Sequence, residues 1–571
     1  MKTFCCALLY FLPIASCWKD DILKQKAAFM EAGMNETADP CQDFHAYANG
    51  RFNFTKLDMQ YLEEAKQILS AKGDGNESTV LQKVKDHYNN CSKNPSLFFW
   101  RLEKALERSS QPEEIDDLVN EYLDKSFLTD DQKYLNLVQK AYQMLFKLPH
   151  EKYSDKDGNS LADARINLLE SNVTDTEEFL FGIFGEQFDL SNITEVALVF
   201  PKGNQTHLRD VFLYQLTVAL HKTVNIPEYK NCEHYILENF LVYYVKMLFD
   251  YLGEDYLDQS NKAYYEDAER LVEAAEVSLR FGNVLSDEMR TKMLGRLDRN
   301  KFFGINHPIY MDEEFYKYYD NLTLVNPIQS RWLNQWKPLI RAAKGKENMF
   351  YHLADVEFNA YHHPIPQFTI INIDPMRFPF YHPSFSPLMR LSGTGSVVGH
   401  ELGHDFDSNL LELTELDSSY IEIFDCLYNF YNGQCNPERP ERCIDPKHNI
   451  EENFADVFGI QMAYFAYKRD AAINGVGQRP RGNILDHLTD DQLFFLNVAQ
   501  TLSMMPPWDK HRTPADPHSP GPTRIWGALS QFNAFANAFN CPVGSNYRQE
   551  NGCKLYNTDI VADYNLTNIE I

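Results

Sequence analysis

The residues of this chain best able to do chemistry lie in one stretch, where His400 and His404 stand four positions apart with Glu401 between them. Residues four apart share a face of an α-helix, so both imidazoles can bind one metal ion. Glu401 can then take a proton from water that the metal activates. The spacing predicts a zinc hydrolase site, against the alternative of a surface helix with two solvated histidines.

Two carboxylates downstream, Glu452 and Asp456, are also four positions apart. A zinc site with two histidines needs a third protein ligand and keeps its fourth position for water or substrate. One of these carboxylates can supply that ligand, while the other accepts the second N–H of a ligating histidine and fixes its tautomer. The alternative is that both are solvated side chains on an amphipathic helix.

Both motifs need helices to position them, and apolar periodicity predicts both helices. Gly393 and Gly395 open a turn before the first helix, whose apolar residues are Val397, Val398, Leu402, Phe406 and Leu410. The second helix carries Glu452 and extends to about Lys468.

Upstream, the sequence predicts two strands, Val356–Tyr361 and Phe368–Ile373, separated by a turn at His362-His363-Pro364. We treat His362, His363 and His382 as weak metal candidates only, because isolated histidines are more often solvated or structural.

The chain from about Pro40 to Phe315 is predicted to be mostly helical. The helical runs are Leu62–Ala71, Val80–Tyr88, Glu113–Leu128, Tyr134–Leu148, Leu208–Lys222, Cys232–Leu252 and Tyr265–Gly282, with a short strand at Val196–Pro201. A chain of 571 residues exceeds a single-core domain and implies about two lobes.

The charge balance argues against two classes of partner. The formal net charge is −27, from 54 basic and 81 acidic residues, and no cluster of Lys and Arg is dense enough for nucleic acid or an anionic membrane surface. We expect neither partner.

Residues 1–17 are predicted to be a secretory signal peptide. Lys2 precedes an apolar run from Phe4 to Ile14, and the small residues Ala15 and Ser16 follow. The alternative is an uncleaved membrane anchor, but the run is too short to span a bilayer. We therefore predict a secreted, extracellular protein without a transmembrane anchor.

The cysteines and glycosylation sequons fit export. Three of the 11 cysteines fall in the signal peptide, and the remaining eight suggest four disulfides whose pairing the spacing does not give. N-glycans are predicted at some of the Asn-x-Ser/Thr sequons, which are Asn35, Asn53, Asn76, Asn90, Asn172, Asn192, Asn204, Asn321 and Asn565.

The stretch Val398-Gly399-His400-Glu401-Leu402-Gly403-His404-Asp405-Phe406-Asp407, followed by Glu452-Asn453-Phe454-Ala455-Asp456, resembles the neprilysin and endothelin-converting enzyme family of zinc endopeptidases. Further matches are Asn359-Ala360-Tyr361, Leu488 to Phe495, Asp516-Pro517-His518-Ser519-Pro520, Arg524 and Gly527. The order holds from about Phe358 to Cys553 and is faint between Cys91 and Tyr351.

The resemblance implies a mainly α fold with a small β-sheet: a two-lobed, gluzincin-type zincin with a helical lid lobe over a thermolysin-like catalytic lobe. Residues 18–44 would pack on the catalytic lobe, 45–315 would form the lid and 316–571 the catalytic lobe. The segment between Cys41 and His400 is shorter than is usual in the family. The implied disulfides are Cys41–Cys541, Cys91–Cys232 and Cys426–Cys553, with Cys435–Cys443 left as a local loop.

The resemblance also assigns roles to single residues. One Zn²⁺ would be held by His400, His404 and Glu452, with Glu401 as general base, Asp456 orienting a zinc-binding histidine and His518 donating to the oxyanion. The residues implied to contact the peptide substrate are Asn359 and Ala360 on an edge strand, Arg524 on the leaving-group side, and Phe380, Val397 and Trp508 in an apolar pocket for the residue after the cut.

The predicted function is a secreted zinc endopeptidase that cleaves oligopeptides, preferentially before large apolar residues. The alternative is a catalytically weak or inactive secreted peptide-binding protein of the same fold. Because neither the predicted base nor any predicted ligand is missing, the enzyme is favoured. A different clan of zinc peptidases would share His400-Glu401-Leu402-Gly403-His404 but not the motif around His518.

Overall fold

The structure is a computed structural model, and the residues it describes are mainly α-helical with one small sheet, as predicted. The residues it describes are 19–52, 54–71, 79–96, 98, 231–282, 284–305, 358–364, 367–407, 417–435, 443–503, 517–549, 552–553 and 555.

The chain divides into two compact units. Unit 1 contains Met1–Gln60, Phe249–His307 and Ala354–Ile571, and unit 2 contains Tyr61–Leu248 and Pro308–Leu353. The predicted lid, residues 45–315, includes Phe249–His307, which the structure groups with unit 1 because the long helix beginning at Glu254 packs on the helix that carries Glu452. The lid role of the helical segment stays a prediction.

The helices are numbered in chain order. They are α1 Lys19–Gly33, α2 Phe44–Asn49, α3 Phe54–Ser70, α4 Thr79–Lys93, α5 Cys232–Asn239, α6 Leu241–Leu252, α7 Glu254–Phe281, α8 Asp287–Leu297, α9 Pro387–Ser392, α10 Thr394–Gly403, α11 Ser418–Tyr431, α12 Ile450–Asn474, α13 Asp490–Leu502, α14 Gly521–Ser530 and α15 Asn533–Ala538.

Helix α12 forms the core of unit 1. Every residue from Asn453 to Tyr467 is buried, which identifies a helix surrounded by protein on all sides. Helices α7, α9, α10, α11 and α14 pack against it. Glu452 and Asp456 lie at the N-terminal end of this helix, so the core element also carries site residues.

The sheet has three strands, β1 Lys301–Phe303, β2 Ala360–Pro364 and β3 Gln367–Ile371, in the order β1-β3-β2. Strand β3 pairs in parallel with β1 and antiparallel with β2. The prediction of a turn at His362-His363-Pro364 is wrong, because these residues pair with Thr369, Phe368 and Gln367 in the ladder. Pro364 occupies the last pair, where a missing N–H interrupts the ladder least.

Unit 2 contains α4 and α5, joined by the disulfide Cys91–Cys232. The buried Tyr88 of α4 donates its hydroxyl to Glu233 Oε1 of α5 at 2.6 Å, next to that disulfide. This unit therefore has its own helix–helix core.

All four disulfide pairs are confirmed: Cys41–Cys541, Cys91–Cys232, Cys426–Cys553 and Cys435–Cys443. At the first of them, the ring of Phe44 on α2 packs 4.7 Å from Phe535 and 5.0 Å from Phe539.

The helices predicted at Leu62–Ala71, Val80–Tyr88 and Tyr265–Gly282 correspond to α3, α4 and α7, and Cys232–Leu252 divides into α5 and α6. The predictions at Glu113–Leu128, Tyr134–Leu148, Val196–Pro201, Leu208–Lys222 and residues 1–17 lie outside the described residues. Among the helices that are described, none combines the length and the apolar character that crossing a membrane requires.

Candidate active site

The site forms where α10 and α12 cross with their backbones in contact. A methyl group added to Gly459 of α12 would lie 2.3 Å from the backbone nitrogen of His400, and one added to Gly399 would lie 2.8 Å from the carbonyl oxygen of Gly459. Gly403 similarly faces Ala455, whose Cα would be 2.9 Å away. Small residues therefore let the two predicted motif helices approach closely enough for their side chains to meet.

Three possible ligand atoms converge beside this crossing. Nε2 of His400 lies 3.2 Å from Nε2 of His404 and 3.1 Å from Oε2 of Glu452, and His404 Nε2 lies 3.6 Å from the same carboxylate oxygen. In a tetrahedral zinc site with bonds of about 2.0–2.1 Å, neighbouring ligand atoms are about 3.3–3.4 Å apart. The three side chains thus fit a zinc ion in donor type and in spacing, and among the described residues they form the only such group of metal-binding side chains.

His400 is held from its other side by Asp456. The Nδ1 atom of His400 lies 2.9 Å from Asp456 Oδ1, and Arg524 of α14 donates from Nε to Asp456 Oδ2 at 2.7 Å and from Nη2 to Oδ1. All three side chains are buried. Burial alone would raise the pKa of Asp456, but the Arg524 guanidinium and the His400 ring lower it to about 2. Asp456 is therefore an ionised acceptor for the His400 N–H.

His404 has a partner that the sequence reasoning missed. Its Nδ1 atom lies 2.9 Å from Asp407 Oδ2, three residues further along the chain. Burial would lower the pKa of His404, but the charges of Asp407 and Glu452 hold it well above its usual value. Helix α10 ends at Gly403 and continues as a 3₁₀ turn, His404–Phe406, which brings Asp407 back to the ring. The spacing of His404 and Asp407 was visible in the motif.

Glu401 lies within this cluster and is 6% exposed. Burial raises the pKa of its carboxyl above the ordinary value, against the opposing effect of His400 and His404. A carboxylate with a raised pKa accepts a proton more readily, as a general base must. Glu452 behaves in the opposite way, because the charges of His518 and His404 hold its pKa well below the usual value despite burial.

His518 enters the site from the segment before α14. Its Nε2 atom lies 3.2 Å from Glu452 Oε2, and its side chain is 28% exposed, more than any other histidine of the cluster. The preceding Pro517 is fixed because its carbonyl oxygen accepts a hydrogen bond from Asn449 Nδ2 at 2.6 Å. The structure therefore brings His518 to the three candidate metal ligands without burying it.

Two predicted substrate residues lie on or next to β2, which is an edge strand of the sheet as far as the described residues show. Asn359 directly precedes β2 and accepts a hydrogen bond from the backbone of Asn372, and Ala360 is the first residue of the strand. β2 also packs on α10, the helix with His400 and Glu401. Pairing with β3 occupies one side of β2.

The three predicted pocket residues differ in their surroundings. Val397 lies on α10 and is partly exposed, whereas Phe380 is 1% exposed and packs its ring 4.4 Å from Phe358 and 6.3 Å from Phe29. Trp508 lies outside the described residues. Their pocket role stays a prediction.

The histidines treated as weak candidates have other surroundings. His382 accepts a hydrogen bond at Nδ1 from the backbone of Ser384, and burial lowers its pKa to about 4. His362 Nε2 lies 3.3 Å from Asp405 Oδ1. The His363 side chain lies outside the described residues.

Part of the chain is similar to known proteins. Residues 359–555 match the profile of Peptidase family M13. The chain is 32% identical over 219 residues to endothelin-converting enzyme 1 of Rattus norvegicus, which covers 35% of this chain and 27% of that protein. It is 33% identical over 217 residues to neprilysin-2 of Caenorhabditis elegans, covering 35% and 28%. The chain thus spans about a quarter of the length of these curated relatives.

Among solved structures, the chain is similar to the Haemonchus galactose containing glycoprotein complex, with a TM-score of 0.56, 16% sequence identity and coverage of 95% of this chain and 100% of that chain. At this identity the likeness concerns the fold. The matched segment 359–555 contains every predicted site residue from Asn359 to Arg524.

Proposed function

We propose that this chain is a zinc-dependent endopeptidase that hydrolyses oligopeptides, because residues 359–555 match the profile of Peptidase family M13. The observation that carries the proposal is the convergence of His400, His404 and Glu452 within 4.8 Å of one another beside the buried carboxyl of Glu401.

Zn²⁺ would be held by Nε2 of His400, Nε2 of His404 and a carboxylate oxygen of Glu452. When bound, the ion would polarise the scissile carbonyl and lower the pKa of water. Asp456 and Asp407 would each accept the N–H on the far side of one imidazole, so that both rings would offer a deprotonated Nε2 to the bound ion.

Glu401 is proposed as the general base. It takes the proton of the attacking water and passes it to the leaving nitrogen of the cleaved peptide bond. Its burial supports this role in two ways, since burial raises its basicity and keeps bulk water from competing for the proton.

His518 and Arg524 are proposed to bind the substrate. His518, which remains partly exposed beside Glu452, would donate to the oxyanion that develops on the scissile carbonyl. Arg524 uses Nε and Nη2 on Asp456, and its buried Nη1 has no hydrogen-bond partner among the described residues. That nitrogen would donate to a substrate carbonyl on the leaving-group side.

An extended peptide would lie along β2, with Asn359 and Ala360 contacting its backbone. Backbone hydrogen bonds along an edge strand give affinity without strict sequence preference. Selectivity is proposed to come from an apolar pocket of Phe380, Val397 and Trp508, which would favour a large apolar residue just after the cut.

We also propose that the chain is secreted and N-glycosylated. The disulfides support this, because such bonds persist in oxidising compartments. Within the described residues the sequons are at Asn35, in a turn after α1, and at Asn90, on α4.

The test compares wild type with Glu401→Gln on a library of quenched peptides, with and without a chelator. We expect chelator-sensitive cleavage by wild type, and loss of turnover in Glu401→Gln with zinc still stoichiometric, because the ligands are untouched. Glu422→Gln, an exposed carboxyl on α11, is the matched control and should keep full activity. Peptide binding by zinc-loaded wild type without any cleavage would overturn the proposal in favour of a binding protein.

A further inference from the structure

Gly527 on α14 lies directly under the ring of Tyr431 on α11. A methyl group added to Gly527 would lie 2.0 Å from the Tyr431 hydroxyl oxygen, 2.3 Å from Cζ and 2.4 Å from Cε1. Carbon atoms in contact are about 3.5–4.0 Å apart. The phenol ring therefore occupies the space that any side chain at position 527 would need.

Tyr431 is itself fixed in place. It is completely buried, at the end of a helix that the Cys426–Cys553 disulfide anchors. The neighbouring Phe430 stacks on Trp526, with ring centroids 4.6 Å apart, and the Tyr431 ring meets the same indole edge-on at 6.1 Å. The last two residues of α11 thus pack against two consecutive residues of α14, Trp526 and Gly527.

These two residues of α14 lie about one helical turn after Arg524. Residues three apart share a helix face, so Gly527 and Arg524 both face the buried interior. Arg524 holds Asp456 with two hydrogen bonds, and Asp456 lies 2.9 Å from His400 Nδ1. Burial and the charge of Asp456 raise the pKa of Tyr431, which is consistent with the ring lying close to this pair.

We propose that Tyr431 and Gly527 are positioning residues: their contact sets how closely α14 docks on α11, and so holds Arg524 on Asp456 and Asp456 on His400. The inference rests on the proposed function only in that His400 serves as a metal ligand. Altering the partner that orients a metal ligand, as Asp456 would orient His400, typically changes metal affinity by about 10–100-fold, so displacing Arg524 from Asp456 should have an effect of that order at most.

The test measures zinc affinity by competition with a chelator in Gly527→Ala. We expect about 10–100-fold weaker binding, because the methyl group pushes α14 and Arg524 away. Gly295→Ala on α8 is the matched control, since a methyl group there meets nothing within 4 Å, and its zinc affinity should equal wild type. In Gly527→Ala with Tyr431→Leu the smaller side chain makes room, so zinc should bind more tightly than in Gly527→Ala alone. A double variant that binds zinc more weakly than either single variant would overturn the inference.

A second experiment, in a chain that already carries Asp456→Asn, distinguishes the proposed positioning role of Gly527 from a merely structural one. If Gly527 acts through Asp456, then Gly527→Ala should weaken zinc binding less than about twofold when Asp456→Asn is already present, because coupled residues are not additive. The same 10–100-fold loss in both backgrounds would contradict the inference.

Two further measurements keep the inference testable. If Gly527→Ala does not fold, Tyr431→Leu in the native chain should weaken zinc binding about tenfold, whereas Tyr428→Leu at an exposed position of α11 should not. If wild type binds zinc but cleaves no peptide, the proposed function fails, and the zinc affinities of the variants still test the inference. If wild type binds no zinc, crystal structures decide, since Gly527→Ala should separate Arg524 from Asp456 beyond hydrogen-bond distance, and an unchanged pair would refute the inference.

Discussion

Replacing Gly459 by Ala should disrupt the metal site from outside it. The added methyl group would lie 2.3 Å from the His400 backbone nitrogen, 2.6 Å from the Gly399 carbonyl carbon and 2.7 Å from His400 Cα. All three are backbone atoms, so no side chain can rotate out of the way. Restoring ordinary contact, about 3.5 Å, requires α10 and α12 to separate by about 1 Å.

That separation is large compared with the tolerance of the site. His400 Nε2 and Glu452 Oε2 are 3.1 Å apart, and moving them to about 4 Å exceeds the roughly 3.3–3.4 Å edge of a zinc tetrahedron. We expect zinc affinity to fall at least 10–100-fold, the loss seen when only a supporting residue is changed. Overpacking of this kind should also lower the free energy of unfolding by about 1–3 kcal/mol.

The assay is a graded series of Gly→Ala variants in chelator competition and thermal unfolding. Gly459→Ala should lose the most zinc affinity and stability. Gly399→Ala and Gly403→Ala, whose added methyl groups have nearest contacts of 2.8 and 2.9 Å, should lose less of both. Gly295→Ala again supplies the baseline and should gain up to about 1 kcal/mol of stability from helix propensity. Wild-type zinc affinity in Gly459→Ala, or the reverse order along the series, would refute the close-crossing argument.

Three further predictions concern single side chains. Glu452→Ala should empty the site or greatly weaken it, with activity recovered in part only at high added zinc; stoichiometric zinc by elemental analysis would place the third ligand elsewhere. His518→Ala should lower kcat by about 10²–10³-fold with little change in KM, because its hydrogen bond strengthens as the oxyanion forms; a raised KM at constant kcat would reassign it to substrate binding. Lys26 is 1% exposed, and burial lowers its pKa from 10.5 to about 7. Between these values the unfolded chain binds a proton that the folded chain does not, so the lysine destabilises the fold fully below pH 7 and less as the pH rises toward 10.5. In urea titrations Lys26→Met should therefore be more stable than wild type by a few kcal/mol at pH 6, this advantage should shrink to about 1 kcal/mol at pH 10, and a difference independent of pH would contradict this.

Local patterns were enough to predict the elements that carry the site. The spacing of His400 and His404, and of Glu452 and Asp456, together with apolar periodicity, predicted helices that the structure contains as α10 and α12. Their bounds differ from the prediction, because Gly395 lies inside α10, this helix ends at Gly403 before Phe406, and α12 continues past Lys468 to Asn474. Three of the disulfides followed from the family resemblance, the fourth, Cys435–Cys443, was the pair left over, and all four are present. These features depend on residues close in sequence or on a pattern specific enough to align.

What the sequence reasoning missed depends on tertiary contact. Nothing local to Gly459 indicates that it faces the His400 backbone, and nothing local to Lys26 indicates burial. The strand that was predicted to end at Tyr361 continues to Pro364, because pairing with β3 outweighs the turn preference of a proline. Asp407 is a different case, since its spacing from His404 was visible but indicated a role only after the 3₁₀ turn was known.

The two histidines proposed to bind zinc are oriented by different kinds of structure, and this sets which changes each can tolerate. The Nδ1 atom of His404 contacts Asp407, three residues further along the chain, so the orientation of the His404 ring depends on residues close in sequence. His400 has Glu452 3.1 Å from Nε2 and Asp456 2.9 Å from Nδ1, both from α12 and one turn apart, so a single helix contacts the two nitrogens of one ring. That arrangement requires α12 to lie at the correct distance along its whole first turn. Changes in packing between α10 and α12, or in the docking of Arg524 on Asp456, should therefore act on His400 before they act on His404.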